Sequence, residues 1–251
     1  MTVDVRDAVR QLTTGMLVEE KQVKFATRVA LTRVAVKSKQ AEEREMRDVF
    51  DKPTPFTMSG LFVQPATSDS LTAEVKLKDF ASKSSTPAAK YMAAQIKGGS
   101  RGQKRFERAL EAIGALPPGY RVVPGEGAEL DDYGNMNRGQ IVQILSYFRA
   151  FPEAGYKANM TDRRREALQR GSKTRQGVSY FVGRPGDRLP LGIYQRVHFA
   201  RGTAIRAVMI FVRYVTYQAT FDFEYVAKLA IEQHFKGEFQ RALAEARASQ
   251  R

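Results

Sequence analysis

The feature that most constrains this chain is a run of helical spacing from about Val18 to Val49. Val23, Ala26, Ala30 and Val34 recur at the period of one helix face, with Phe25, Val29, Thr32 and Val36 on a neighbouring stripe. A helix of that length has to bury its apolar stripe against another element, so the fold is organised around it. Asp51-Lys52-Pro53-Thr54-Pro55 stops it, because each proline biases its predecessor away from helical angles. The far end, Lys37 to Asp48, carries dense mixed charge, including Lys39 and Glu43 at four-residue spacing. It is expected to leave the core and lie against solvent or a neighbouring subunit.

Beyond the prolines the period changes. Leu61 to Pro65 and Leu71 to Lys78 read as a hairpin; in the second run Leu71, Ala73, Val75 and Leu77 alternate with polar residues. Helix formers return from Pro87 to Ile96 and from Gln103 to Ile113, separated by Gly98-Gly99-Ser100-Arg101-Gly102. Tyr120 to Pro124 reads as a short strand, Gly125 to Arg138 as a loop, and Gln140 to Phe151 as an apolar helix. A short helix capped by Thr161 fits Thr161 to Arg170. Strand signals then dominate: Val178 to Val182, Gly192 to Phe199, and Ile205 to Val215. The last is apolar on both faces and is expected at the sheet centre. Asp222 caps a closing helix from Phe223 to about Ala248, with Val226, Leu229, Ala230, Phe239 and Leu243 as its expected buried stripe. This order predicts an α+β fold: a mostly antiparallel sheet packed with a long N-terminal helix and a C-terminal helix. The expected organisation is a single domain over residues 1–251, with a basic loop-rich insertion at about 149–192.

Charge is the second constraint. The formal net charge is +14. From Arg149 to Arg213 there are 14 basic residues against 4 acidic ones, so that stretch alone carries +10. Such a field attracts nucleic acid or an acidic protein surface; a solvated surface tuned for solubility is the plainer reading. The densest part holds Arg163, Arg164, Arg165, Arg170, Lys173 and Arg175, the candidate contact residues for a polyanion or an acidic partner. Tyr156, Tyr180 and Phe181 are near in sequence, where aromatic rings would stack on bases if exposed and belong to the core if not. Asp79 to Thr86 and Lys157 to Gln176 are the segments expected to order on assembly. No helix-turn-helix, zinc-finger or RNA-recognition signature accompanies the charge.

Signals for chemistry are weak. The chain has no cysteine, which removes disulfides, thiolate metal sites and thiol nucleophiles. His198 and His234 have neither a second histidine nor a close carboxylate at ligand spacing. Gly125-Glu126-Gly127-Ala128-Glu129 lacks the lysine and third glycine of a phosphate loop and places acids where a phosphate would be repelled. Asp131-Asp132 with Glu126 and Glu129 lacks the spacing of a calcium loop. No catalytic residue, cofactor or metal is expected, and the chain reads as a non-enzyme. Met1 to Asp7 lacks the basic start and apolar core of a signal peptide, and no run approaches the ~18 apolar residues of a membrane span.

Five segments, in order, carry a resemblance. Gln22 to Arg33, Val49 to Thr57, Leu130 to Ile141, Pro190 to Arg196 and Val208 to Val212 resemble the phage and prophage minor tail protein Z-like family. The resemblance implies a structural protein of a tailed-phage virion, synthesised in the bacterial cytoplasm and placed in the neck or tail near the head–tail junction. It implies a homo-oligomeric ring whose neighbours are other neck or tail proteins on the portal, adaptor or tail-tube side. Non-specific contact with packaged DNA is compatible with it, and no membrane is involved. The competing class is a nucleic-acid-binding phage protein acting through the basic region.

Overall fold

The computed structural model describes residues 4–14, 19–81, 86–152, 158–184, 186, 188–199 and 201–248. The fold is α+β with antiparallel sheets, a long N-terminal helix and a C-terminal helix. The chain divides into two compact units, Met1–Gly99 with Tyr217–Arg251, and Ser100–Thr216. It crosses to the second unit within the short strand β3 (Gly99–Ser100) and returns within β8 (Thr216–Tyr217).

The first unit holds α1 (Arg6–Thr13), α2 (Glu20–Val49), α3 (Pro55–Met58), β1 (Leu61–Gln64), β2 (Glu74–Leu77), α4 (Ala88–Lys97) and α8 (Phe223–Ala248). Helices α2 and α8 run antiparallel: Lys37 pairs with Glu238 at 3.0 Å, while Arg33, one turn earlier, pairs with Glu245 at 2.9 Å, two turns later. Between them the small residues Ala26 and Ala30 allow close approach, and Phe235 and Phe239 fill the space opposite. Burying a phenylalanine of that kind contributes about 1.5–3 kcal/mol. A second cluster joins Met46 of α2 to Leu61, Ala88, Met92 and Phe221. The prolines that end α2 also begin α3: Pro55 takes its first position, and the Thr54 hydroxyl accepts from Thr57 N at 3.1 Å.

Two expectations for these helices need correction. The far end of α2 does not leave the core, because Ser38, Glu42 and Met46 are all buried on one face. Only its outer face is solvated, where Lys39 and Glu43 form the expected pair at 3.2 Å. On α8, Ala230, Phe239 and Leu243 are buried as expected, but Val226 is half-buried and Leu229 is 40% exposed, and Phe235, Glu238, Ala242 and Ala246 complete the buried face. The sequence spacing is the same, but the contact with α2 selects a face rotated away from Leu229. The hairpin forms as expected, with Leu61 opposite Leu77 and Val63 opposite Val75.

The second unit holds α5 (Arg105–Ala112), β4 (Arg121–Pro124), α6 (Arg138–Tyr147), α7 (Asp162–Arg170), β5 (Gly177–Gly183), β6 (Gly192–Phe199) and β7 (Gly202–Val212). Its sheet has the antiparallel order β4-β7-β6-β5, so the apolar β7 is interior as its composition predicts. One sheet face, through Tyr180, Ile193, Met209, Phe211 and Val122, packs on Leu110, Leu116, Ile144 and Leu145. The stretch 149–192 lies wholly within this unit and supplies one of the sheet strands, β5. Among the described residues no helix is long and apolar enough to cross a membrane.

A buried ion pair stitches α5 to β4. Glu107 is fully buried, and Arg101 donates to its two oxygens at 2.9 and 2.6 Å. The backbone N–H of Val122 and of Lys104 donate to the same carboxylate at 2.8 and 2.6 Å. Burial opposes ionisation of Glu107, but Arg101 and the two backbone donors outweigh it and hold the carboxyl below its ordinary range.

Candidate polyanion or partner interface

The basic cluster is built on α7 and the turn that follows it. Thr161 caps the helix as its sequence predicts, its hydroxyl accepting from Arg164 N at 3.3 Å, and Asp162 sits in the first turn where the helix dipole favours an acid. At the other end Gly171 has φ +74°, and a Cβ there would stand 2.5 Å from Gly177 N. The turn is then fixed by Ser172: its backbone N–H donates to Arg175 O at 2.8 Å, and its hydroxyl accepts from Arg175 N at 3.1 Å. Gly177 opens β5 so close to α7 that a Cβ would lie 2.0 Å from Gln169 O.

The six candidate residues separate into two kinds. Arg163, Arg164, Arg170, Lys173 and Arg175 are exposed, and their side chains make no ion pair or hydrogen bond among the described residues. Arg165 is a structural tie. Its Nη2 donates to Tyr147 O at 2.6 Å, its guanidinium lies 5.0 Å from the Tyr147 ring centroid, and it reaches Asp162 at 3.6 Å. Arg149 also donates to Asp162, at 2.5 Å, so the acid at the helix start is neutralised from within the unit. Five cations therefore face solvent from a rigid helix and turn, a surface able to attract anions by field rather than by a shaped pocket. Tyr156 and Lys157 lie outside the described residues.

The neighbouring aromatics do not form a stacking platform. Tyr180 is buried, donates to Gln143 Oε1 at 3.2 Å, and its hydroxyl is pushed up to about 12 chiefly by burial. Phe181, on the opposite sheet face, stacks with Tyr194 at 5.5 Å and is covered by the Arg196 guanidinium at 5.1 Å. The other weak sequence signals resolve into structure as well. Gly125 and Gly127 bring their loop against β7, donating to Val208 O at 3.0 Å and Ala207 O at 2.7 Å. A Cβ at Gly125 would stand 2.3 Å from the Ala207 oxygen, so glycine serves close approach there. Asp131 accepts from Tyr133 N at 3.0 Å and Asn135 N at 2.8 Å, and these bonds, with Asn135 foremost, lower its pKa. His198 Nε2 lies 3.4 Å from the Ser179 hydroxyl. Among the described residues no group of three or more histidine, cysteine or acidic side chains is placed to hold a metal.

Set against protein-family models, curated proteins and solved structures, the chain matches none. Sequence reasoning also missed two features. One is an apolar groove in the first unit between α1, α2, the β1–β2 connection and α8. The other is the buried, unpartnered Glu42 beside it in sequence. Its signal was present: Ala26, Ala30, Val34, Ser38, Glu42 and Met46 form one unbroken four-residue series along α2, and every member is buried.

Proposed function

We propose that this chain is a structural subunit of a tailed-bacteriophage virion, forming an oligomeric ring in the neck or tail at or near the head–tail junction. The observation that carries the reading is the ordered resemblance of five segments spread from Gln22 to Val212. Its physical counterpart is a pair of packed units that present loops and charge. The Leu130 to Ile141 segment leaves Leu130 51% and Tyr133 41% exposed on a loop, the kind of surface that docks on a neighbour. The five solvent-facing cations of α7 and its turn supply attraction to an acidic adjoining ring or to packaged DNA.

The test is composition and imaging of virions from the phage that encodes the chain. Mass spectrometry is expected to find it in purified particles, and cryo-EM to find it as a symmetric ring in the neck or tail. Its absence from mature particles, together with salt-sensitive DNA binding by the isolated chain, would overturn the reading in favour of a nucleic-acid-binding protein.

A further inference from the structure

The groove in the first unit encloses about 1000 Å³. Leu31 and Val34 from α2, Ile231 and Phe235 from α8, and Leu71 and Val75 from the hairpin region give it an apolar lining. Its charged lining runs against the chain as a whole: Asp4, Glu20, Asp69, Glu74 and Glu224 outnumber Arg6, Lys24 and Lys76. Ser38 adds a polar point to the wall, with a hydroxyl that has no hydrogen-bond partner.

The second unit carries a surface of matching chemistry. At the turn end of the β6–β7 hairpin, Phe199 is 46% and Ile205 45% exposed, on opposite faces of the two-stranded ribbon. Arg196, Arg201 and Arg206 are exposed around them, and no acidic residue occurs between Arg188 and Phe221. On the β7 side this end stands free, because β4 reaches β7 only at Met209 to Val212, while on the β6 side β5 follows as far as His198. The units differ in overall charge in the same sense: the second has 20 basic against 10 acidic residues, the first 21 against 17.

We propose that the turn end of the β6–β7 hairpin of one copy seats in the acid-lined apolar groove of a second copy. Phe199 from one face of the ribbon and Ile205 from the other enter the apolar lining, and the three arginines meet the acids around it. The two patches are different, so each copy that donates a hairpin still offers an empty groove. Such a heterologous contact repeats from copy to copy until it closes, which a ring requires. The inference rests on the ring-subunit reading and names the contact that would build the ring.

Because the chain has no cysteine, the contact can be trapped with single introduced ones. A Phe199→Cys chain and a differently tagged Leu71→Cys chain are mixed under mild oxidation and resolved on a non-reducing gel. The mixed dimer is expected to form at least tenfold faster than from Tyr214→Cys with Leu71→Cys, although Tyr214 is 80% exposed. Equal rates for the two pairs would overturn the proposal. Charge supplies the second readout: Arg201→Glu with Arg206→Glu should slow the Phe199→Cys reaction, and Glu20→Lys with Asp69→Lys in the groove partner should restore it. Slowing without rescue in chains of unchanged thermal melting also counts against the contact. A cross-link formed by a chain absent from virions would sink the virion reading and leave the contact standing. A virion ring whose neighbours meet elsewhere would do the reverse.

Discussion

Replacing Glu42 by glutamine is expected to stabilise the protein at neutral pH and leave it unchanged near pH 4.5. Glu42 is fully buried, and neither carboxylate oxygen has a hydrogen-bond partner among the described residues. Burial raises its pKa to about 8, with the negative charges of Glu45 and Asp222 adding to the effect. In the unfolded chain the same carboxyl ionises near 4.5. The folded pKa lies above the unfolded one, so the favourable contribution of the neutral acid is complete below pH 4.5. It is lost as pH rises through about 8. Each pH unit in that window costs about 1.4 kcal/mol, which accumulates to about 3 kcal/mol at pH 7. Glutamine keeps the shape of the protonated acid and never ionises, so the variant escapes that slope. Against a typical domain stability of about 5–15 kcal/mol, the difference is easily measured. Urea unfolding followed by circular dichroism at pH 4.5, 6, 7 and 8 is the assay, and the gap between the two proteins should open with pH. A gap that is constant across the series would refute the reasoning, since a packing change has no reason to track protons.

Glu107 is the opposite case. Glu107→Ala strands the Arg101 charge and the N–H groups of Val122 and Lys104, and should cost about 3–5 kcal/mol in urea unfolding at pH 7. Its folded pKa is depressed, so its contribution is present above the ordinary carboxylate range and fades as pH falls. The Glu107→Ala deficit should therefore narrow in acid; a deficit unchanged from pH 7 to pH 3 would contradict the ion-pair account. Gly192→Ala places a Cβ 2.4 Å from Met209 O in the middle of the sheet, and a loss of about 1–3 kcal/mol is expected by the same assay. Wild-type stability in that variant would mean that the β6–β7 spacing is looser than described.

Much of the fold is legible because the relevant rules are local. Thr161 and Asp222 cap the helices that their sequence positions predict, and Pro53 and Pro55 mark a boundary that backbone geometry imposes. The missed α1 has its signal in Val5, Ala8, Val9 and Leu12, but over so few residues that only packing against the α2–α8 cluster makes it a helix. What was not legible depends on partners remote in sequence. Density of charge from Lys37 to Asp48 reads as solvation, yet α2 presents Ser38, Glu42 and Met46 inward because neighbouring elements cover that face. Arg165 was grouped with its neighbours because three consecutive arginines look alike; only the position of Tyr147 separates the tie from the surface cations.

That separation bears on how the protein's charge can act. A net +14 makes copies repel one another at long range, and salt screens that repulsion beyond about a Debye length. The acid-lined groove is a local reversal of sign, and in the proposed contact it faces the arginines at the turn end of the hairpin. The α7 cluster sits on a helix and turn fixed by their own hydrogen bonds, and that turn leads into Gly177, which pairs with His198 beside Phe199. Self-association and anion attraction therefore draw on different side chains, but ones that neighbour each other at that turn. A ring built through groove and hairpin would bring the turn that carries Lys173 and Arg175 close to each contact. Repeating that cluster once per copy multiplies the local field without requiring any one subunit to bind tightly.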